Sequence, residues 1–247
     1  MGTLTSKAAQ TWSGVETTDP QAVLSHALAA YGDRVALASS FSLEDAVVTD
    51  MLAGIRKDVR IFALDTGRLN PETYECAESI RRKYGVQIEW YFPRHDTVEQ
   101  LERQKGLFSF RESVENRKEC CHIRKVEPLS RALAGLDAWV TGLRREQSVT
   151  RSDLEVVECD AGHGGIVKIN PLASWTLDDL WEYARLRKIP YNRLYDQGYT
   201  SIGCAPCTRA IQKGEDERAG RWWWESPDHK ECGLHIGGKW PQNGYQI

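Results

Sequence analysis

In the first third of the chain, short runs of β-branched and small apolar residues repeatedly give way, across polar loops, to helical patterns. This alternation constrains the fold most, because strands joined through helices run parallel and need helices on both faces of their sheet. Residues 35–40 (VALASS) read as a buried strand, followed by Ser42-Leu43-Glu44-Asp45, where Ser42 can cap a helix and Asp45 can complete a capping box. An apolar stripe of Val47, Val48, Met51, Leu52 and Ile55 continues that helix. The second strand, 60–64, leads through Asp65-Thr66-Gly67 to Asn70-Pro71, an N-cap with Pro at the first helical position, and the helix closes at Tyr84-Gly85. A third strand spans 86–92, further strands fall at 138–141 and 166–169, and Thr176 starts a helix with Leu177, Leu180, Trp181 and Ala184 on one face. The expectation is an α/β fold: a mostly parallel twisted sheet flanked by helices over residues 1–199. A C-terminal segment, 200–247, follows, in which Gly, Cys, Pro, Trp and charge replace any long period.

Three strand ends carry groups suited to anions. Ser39-Ser40-Phe41-Ser42-Leu43-Glu44-Asp45 lies at the carboxyl edge of the sheet, where open α/β sheets bind ligands and a helix N-terminus favours negative charge. Leu64-Asp65-Thr66-Gly67-Arg68 sets a carboxylate and a guanidinium on the same edge. Thr141-Gly142-Leu143-Arg144-Arg145-Glu146-Gln147-Ser148 adds two arginines, with Arg151 just beyond, and guanidinium forks suit phosphate and sulfate oxygens. Alone, each is equally a capped turn with a solvated side chain; together they point to one anion site.

Seven cysteines occur, at 76, 120, 121, 159, 204, 207 and 232. An odd number in a reducing compartment points to metal or catalytic thiols rather than structural disulfides. Cys204-Ala205-Pro206-Cys207 and Cys120-Cys121 offer four soft ligands, and adjacent cysteines suit a cluster with separated metal corners better than one tetrahedral zinc. A redox dithiol and two buried thiols remain the plain alternatives. Cys232 stands in Glu231-Cys232-Gly233-Leu234-His235, with His229, Lys230 and His235 to favour its thiolate, as expected of a nucleophile; Cys76 and Cys159 read as structural. Of Trp222, Trp223 and Trp224, one or two should pack the C-terminal segment onto the core, and Arg218 and Arg221 add positive charge beside them.

Composition narrows the partner. Lys and Arg total 32 against 35 Asp and Glu, a net charge of −3, so nucleic acid gains little electrostatic help and a small anion held by a local cluster is favoured. No window offers the roughly 18 apolar residues of a membrane span, and the N-terminal stretch does not read as a secretory signal, so a cytoplasmic location is expected.

SSFSLED, LDTGR, CC, TGLRREQS, CxxC and ECGLH together resemble the iron–sulfur branch of the assimilatory sulfonucleotide reductases, from about Ser39 to His235. The resemblance implies a fold like the adenine nucleotide α-hydrolases, whose first loop normally reads SGGxDS. Here Phe41 and Ser42 occupy the glycine region, which fits a substrate lacking β- and γ-phosphates. It further implies adenosine 5′-phosphosulfate as substrate, sulfite and AMP as products, and thioredoxin or glutaredoxin as electron donor. Cys232 would be the nucleophile, forming an S-sulfocysteine, and Cys120, Cys121, Cys204 and Cys207 would ligate a [4Fe–4S] cluster acting electrostatically. Lys125, Arg144, Arg218 and Arg221 would meet the anionic groups, while Ser39, Ser40, Phe41, Ser42, Glu44, Asp45, Leu64, Asp65, Thr66, Gly67, Arg68, Gly142 and Gln147 would hold the nucleotide. A reductase of the 3′-phosphorylated nucleotide, or one using both, shares ECGLH but normally lacks the cysteine pairs; a zinc-stapled nucleotide-binding module is the alternative from another class. The assembly state, monomer or homo-oligomer, is left open.

Overall fold

The computed structural model describes residues 5–148, 151–226 and 234. Its centre is a six-stranded sheet of β1 (Val35–Ser39), β2 (Arg60–Leu64), β3 (Ile88–Tyr91), β4 (Ala138–Val140), β5 (Val157–Asp160) and β6 (Ile166–Ile169), ordered β3-β2-β1-β4-β6-β5. All neighbours pair in parallel except β5, which runs antiparallel to β6 at the edge. Side chains alternate between the two faces as strand geometry requires. Val35, Leu37, Ile61, Ala63 and Val140 join one core with α2 (Pro20–Tyr31), α3 (Leu43–Ile55) and α8 (Leu177–Leu186). Ala36, Phe62 and Trp139 face the other way, onto Leu129 and Leu133 of α7 (Glu127–Leu133). The sheet is thus buried on both sides.

The expected strands are present, and the structure adds one. The sequence reading missed β5, whose four residues, Val-Glu-Cys-Asp, are too short and too acidic to stand out, and all four are only half-buried. Asn70 was expected to cap α4 (Pro71–Tyr84); its side chain makes no cap and its amide donates instead to the Gly203 carbonyl at 3.3 Å, so it ties the C-terminal segment to the sheet edge. Gly85 closes α4 in the left-handed region, as the sequence indicates. Ile55, expected on the core stripe of α3, is 39% exposed, because it falls in the last turn beyond the edge of the sheet.

Between β3 and β4 the chain runs through α5 (His95–Lys105), α6 (Val114–Cys121) and α7. The helix axis runs from α6 into α7 through a π-helical turn, His122–Val126. Pro128, in the first turn of α7, has no N–H for the turn before it, and the chain widens there. That places Lys125 in the irregular turn directly after the paired cysteines. Among the described residues, no helix is long and apolar enough to cross a membrane.

Candidate active site

Because strands leave β1 in both directions, the order of the sheet reverses between β1 and β4, and their carboxyl ends open a crevice. A cavity of about 200 Å³ lies there. The loop after β1 supplies Ser39, Ser40, Phe41, Ser42, Glu44 and Asp45 to its wall; the edge of β2 supplies Leu64 and Thr66. Lys125 enters from the π turn, Gly142, Gln147 and Arg151 from the loop after β4, and Cys204, Arg218 and Arg221 from the C-terminal segment.

The β1 loop owes its shape to local bonds. Ser42 caps α3 through the Asp45 N–H, but Asp45 does not return the capping-box bond. Its carboxylate turns back to accept from the Ser40 N–H at 2.6 Å and the Ser40 hydroxyl at 2.7 Å. Burial pushes the Asp45 carboxyl up to about 6 against the pull of those bonds, with the Glu44 charge adding to the rise. Phe41 is buried at a φ of +59°, the left-handed backbone that a glycine normally takes, and is pinned by the Trp90 ring 5.5 Å away. The loop thus keeps the bend of a glycine loop while carrying a large side chain. Gly142 passes so close to α3 that a Cβ would overlap Asp45 Oδ1 and lie 2.8 Å from Glu44 Cβ.

Four residues singled out from sequence do not line the cavity and instead hold its walls. Asp65 accepts from the Gly67 N–H at 2.7 Å and from the Tyr74 hydroxyl at 2.9 Å. Gly67 turns the chain at φ +71° with an Arg124 nitrogen 3.4 Å from where a Cβ would sit. Arg68 faces α5, on Glu102 at 2.5 Å and over the Phe110 ring. Arg144 is fully buried and bonded to Glu44, rather than open to a ligand's anionic groups. Conversely, sequence reasoning did not single out Tyr195, whose hydroxyl accepts from the Leu43 N–H at the start of α3, nor Glu217, nor the wall residues Trp139 and Thr200. Only Glu217 had a signal, as the neighbour of Arg218. Arg151 could be read from the arginine cluster, and it lies on the wall.

Beside the cavity, Cys120, Cys121, Cys204 and Cys207 share one buried apolar cluster with Leu101, Phe110 and Trp222. The cysteines at 76, 120, 121, 159, 204 and 207 are free thiols. Burial resists ionisation of Cys204, yet Lys125, the Thr66 hydroxyl, Arg221 and Arg124 together bring it below the ordinary thiol range. Burial pushes Cys207 up to about 12, and the Cys204 charge adds to this. No group of three His, Cys, Asp or Glu among the described residues is drawn together tightly enough for a single metal ion. A four-iron cube spaces its thiolates more widely, and the donor set is the all-thiolate one it takes. The indole N–H of Trp222 and Nε of Arg124 are buried with no hydrogen-bond partner among the described residues, a surplus of donors that sulfur acceptors would satisfy. The four cysteines and their surroundings therefore fit such a group.

Residues 34–210 match the family described as the phosphoadenosine phosphosulfate reductase domain. The chain belongs to this family. It is 54% identical over 203 residues to an adenosine 5′-phosphosulfate reductase of Allochromatium vinosum, covering 82% of this chain and 79% of the relative. It is 46% identical over 223 residues to the enzyme of the same name from Pseudomonas aeruginosa, 88% of this chain and 82% of that one. Among solved structures, phosphoadenylyl-sulfate reductase from Candida auris, a phosphate complex, superposes with a TM-score of 0.69 at 28% identity, covering 85% of this chain and 98% of that one. FMN adenylyltransferase from Candida glabrata shares the fold at a TM-score of 0.55 and 14% identity, covering 91% of this chain and 73% of that one. The family's residues thus map onto an α/β sheet with adenine-nucleotide-handling structural neighbours. Cys232, with Glu231, Gly233 and His235, lies outside the described residues.

Proposed function

We propose that this chain is an adenosine 5′-phosphosulfate reductase of sulfate assimilation, with Cys232 as its nucleophile and a dithiol protein such as thioredoxin or glutaredoxin as electron donor. The observation that carries the reading is the convergence of Lys125, Arg151, Arg218 and Arg221 on one cavity at the sheet's switch point, with Leu234 on its wall. Leu234 stands two residues after Cys232 in the sequence. The names of the relatives, adenosine 5′-phosphosulfate reductases at 54% and 46% identity, support the same substrate.

The residues of the chain divide the work. The helix α3 N-terminus and the β1 loop hold the nucleotide, and the four cations hold the phosphosulfate, so that sulfur faces the nucleophile. The Cys232 thiolate attacks that sulfur; a sulfur–sulfur bond forms as the sulfur–oxygen bond to the phosphate breaks, and AMP leaves with the electron pair. The donor's first thiolate then attacks the Cys232 Sγ, so that sulfite departs with the electron pair of the broken sulfur–sulfur bond and a mixed disulfide forms; the donor's second thiolate attacks that disulfide, closing the donor's own disulfide and releasing the Cys232 thiolate, so two electrons pass from the dithiol to sulfur. Cys120, Cys121, Cys204 and Cys207 would hold a [4Fe–4S] cluster, which supplies an electrostatic element beside the sulfate end rather than an electron route. Lys125 lines the cavity, and its charge acts on Cys204 and Cys207.

Single-turnover mass spectrometry tests the reading. Mixed with adenosine 5′-phosphosulfate and no donor, the protein should release one AMP and carry a sulfonate on the Cys232 peptide; Cys232→Ser should bind the nucleotide and release nothing. A sulfonate on Cys76 or Cys159, or sulfite from the serine variant with thioredoxin, would overturn it. Run alongside, the 3′-phosphorylated nucleotide should give much less sulfite; equal efficiency would assign dual use instead.

A further inference from the structure

Arg144 is surrounded by more carboxylates than one guanidinium can neutralise. Its side chain has no exposed surface, and it holds Glu44 at 3.1 Å and Glu217 at 3.4 Å, with the rim carboxylate of Glu146 at 3.7 Å. Glu44 comes from the first turn of α3 and also accepts from the Gln147 amide at 2.8 Å. Glu217 comes from the C-terminal segment, immediately before Arg218, and its backbone carbonyl accepts from the Thr200 hydroxyl at 2.5 Å. Both Glu44 and Glu217 line the cavity. The structure therefore sets two carboxylates and one shared cation on the wall of a site built for an anion.

We propose that the Glu44–Arg144–Glu217 triad is a proton-linked affinity determinant: entry of the anionic nucleotide draws one proton onto Glu217. This rests on the reading of the cavity as a sulfonucleotide site. Its physical basis is Coulombic. Phosphosulfate charge enters the same low-dielectric space as two carboxylates, and keeping both ionised then costs more than protonating one of them. Glu217 is the one placed to yield, because its carboxylate meets Arg144 only at 3.4 Å, whereas Glu44 accepts from both Arg144 and the Gln147 amide.

The charges facing Glu217 come from every element around it. Arg144 approaches from the loop after β4, Glu44 from the first turn of α3, and Arg218 and Asp216 flank it on its own segment. The buried Tyr195 hydroxyl stands beside the carboxylates, its ionisation suppressed by burial first and then by Glu44. Burial pushes the Glu217 carboxyl up to about 7, with Arg144 pulling it down and Glu44 pushing it up. The bound state holds the proton more tightly than the free one, so affinity must rise as pH falls through neutrality.

The test uses the Cys232→Ser chain, so that binding is not followed by chemistry, and adenosine 5′-phosphosulfate, which has no group of its own titrating near neutrality. Titration calorimetry in buffers of different ionisation heats reads the protons taken up. About half a proton or more should be absorbed near pH 7.5, and affinity should tighten about fivefold between about pH 8.5 and about pH 6.5. Adding Glu217→Gln should abolish the uptake, flatten the profile and give at high pH the affinity the parent reaches at low pH. Equal uptake with glutamine at 217, or no uptake in the parent, overturns the proposal. If the glutamine chain does not fold by near-ultraviolet dichroism, Glu217→Ala replaces it, and the parent's own uptake still decides. Failure of the parent to bind the nucleotide at all would instead count against the substrate reading.

Discussion

Asp45 is a buried carboxyl kept for its bonds to Ser40 rather than for its charge. Burial is the larger influence, so the folded protein holds this proton more tightly than the unfolded chain does, with the carboxyl at about 6. Its stabilising contribution is then complete below the unfolded value near 4 and is lost as pH rises through about 6, by about 3 kcal/mol. Asp45→Asn keeps an oxygen for Ser40 and removes the ionisation. In denaturant titrations, the variant should gain about 2 kcal/mol on the parent at pH 8 relative to the same comparison at pH 4. A difference that does not change with pH would show that ionisation of Asp45 costs the fold nothing. The neighbouring Gly142 makes a second test, because a methyl group there meets Asp45 and Glu44 directly. Gly142→Ala should cost about 1 to 3 kcal/mol and weaken nucleotide binding, whereas Gly54→Ala, with open space around it, should do neither.

The π turn at His122–Val126 carries the largest consequence for its size at the scale of elements. It adds a residue to the helical path between Cys120-Cys121 and α7, which sets the rotation of Lys125 relative to the cysteines. Deleting Ile123 removes the residue that the wide turn absorbs, so the turn must tighten and Lys125 lose its place relative to the cysteines. The expected outcome is normal helix content by circular dichroism with loss of bound iron and of nucleotide affinity; retention of both would show that the turn is incidental. What the sequence revealed follows the same division between local and distant causes. The parallel strands, the Ser42 and Thr176 caps and the Gly85 terminus depend on a few neighbouring residues and were legible, whereas the antiparallel β5 was not. The Asn70 cap was misjudged, and the burial of Arg144 was unreadable, because their partners, Gly203 and Glu217, lie far along the chain. Arg144 and Arg218 look alike in a motif, and only burial separates the wall support from the cavity cation. Phe41 in a left-handed turn was unreadable for a related reason, since the Trp90 contact that pins it comes from another strand.

At the scale of the whole molecule, a buried ion pair ties the C-terminal segment to α6. Arg117 of α6 meets Glu225 through two bonds at 2.9 and 2.8 Å, and both side chains are nearly sealed from solvent, at 1% and 4% exposure. Trp222 packs beside the pair: the Arg117 guanidinium stands 4.7 Å and that of Arg221 4.6 Å from its ring, while the ring packs with the four cysteines. Loosening this pair should therefore disturb the cysteines and the cavity cation Arg221 together. Arg117→Met leaves Glu225 as an uncompensated buried charge and should cost about 3 to 5 kcal/mol. Adding Glu225→Leu removes that charge and should recover most of the loss, because a buried pair and well-packed apolar side chains of similar volume are close in stability. Recovery of fold need not bring recovery of the site, since methionine removes one of the two guanidinium groups that stand over the Trp222 ring. The double variant should melt close to the parent and still show altered iron retention and weaker nucleotide binding. If the single variant is as stable as the parent, the pair does not hold the segment, and if the double variant is as unstable as the single one, the loss comes from packing rather than from the stranded charge.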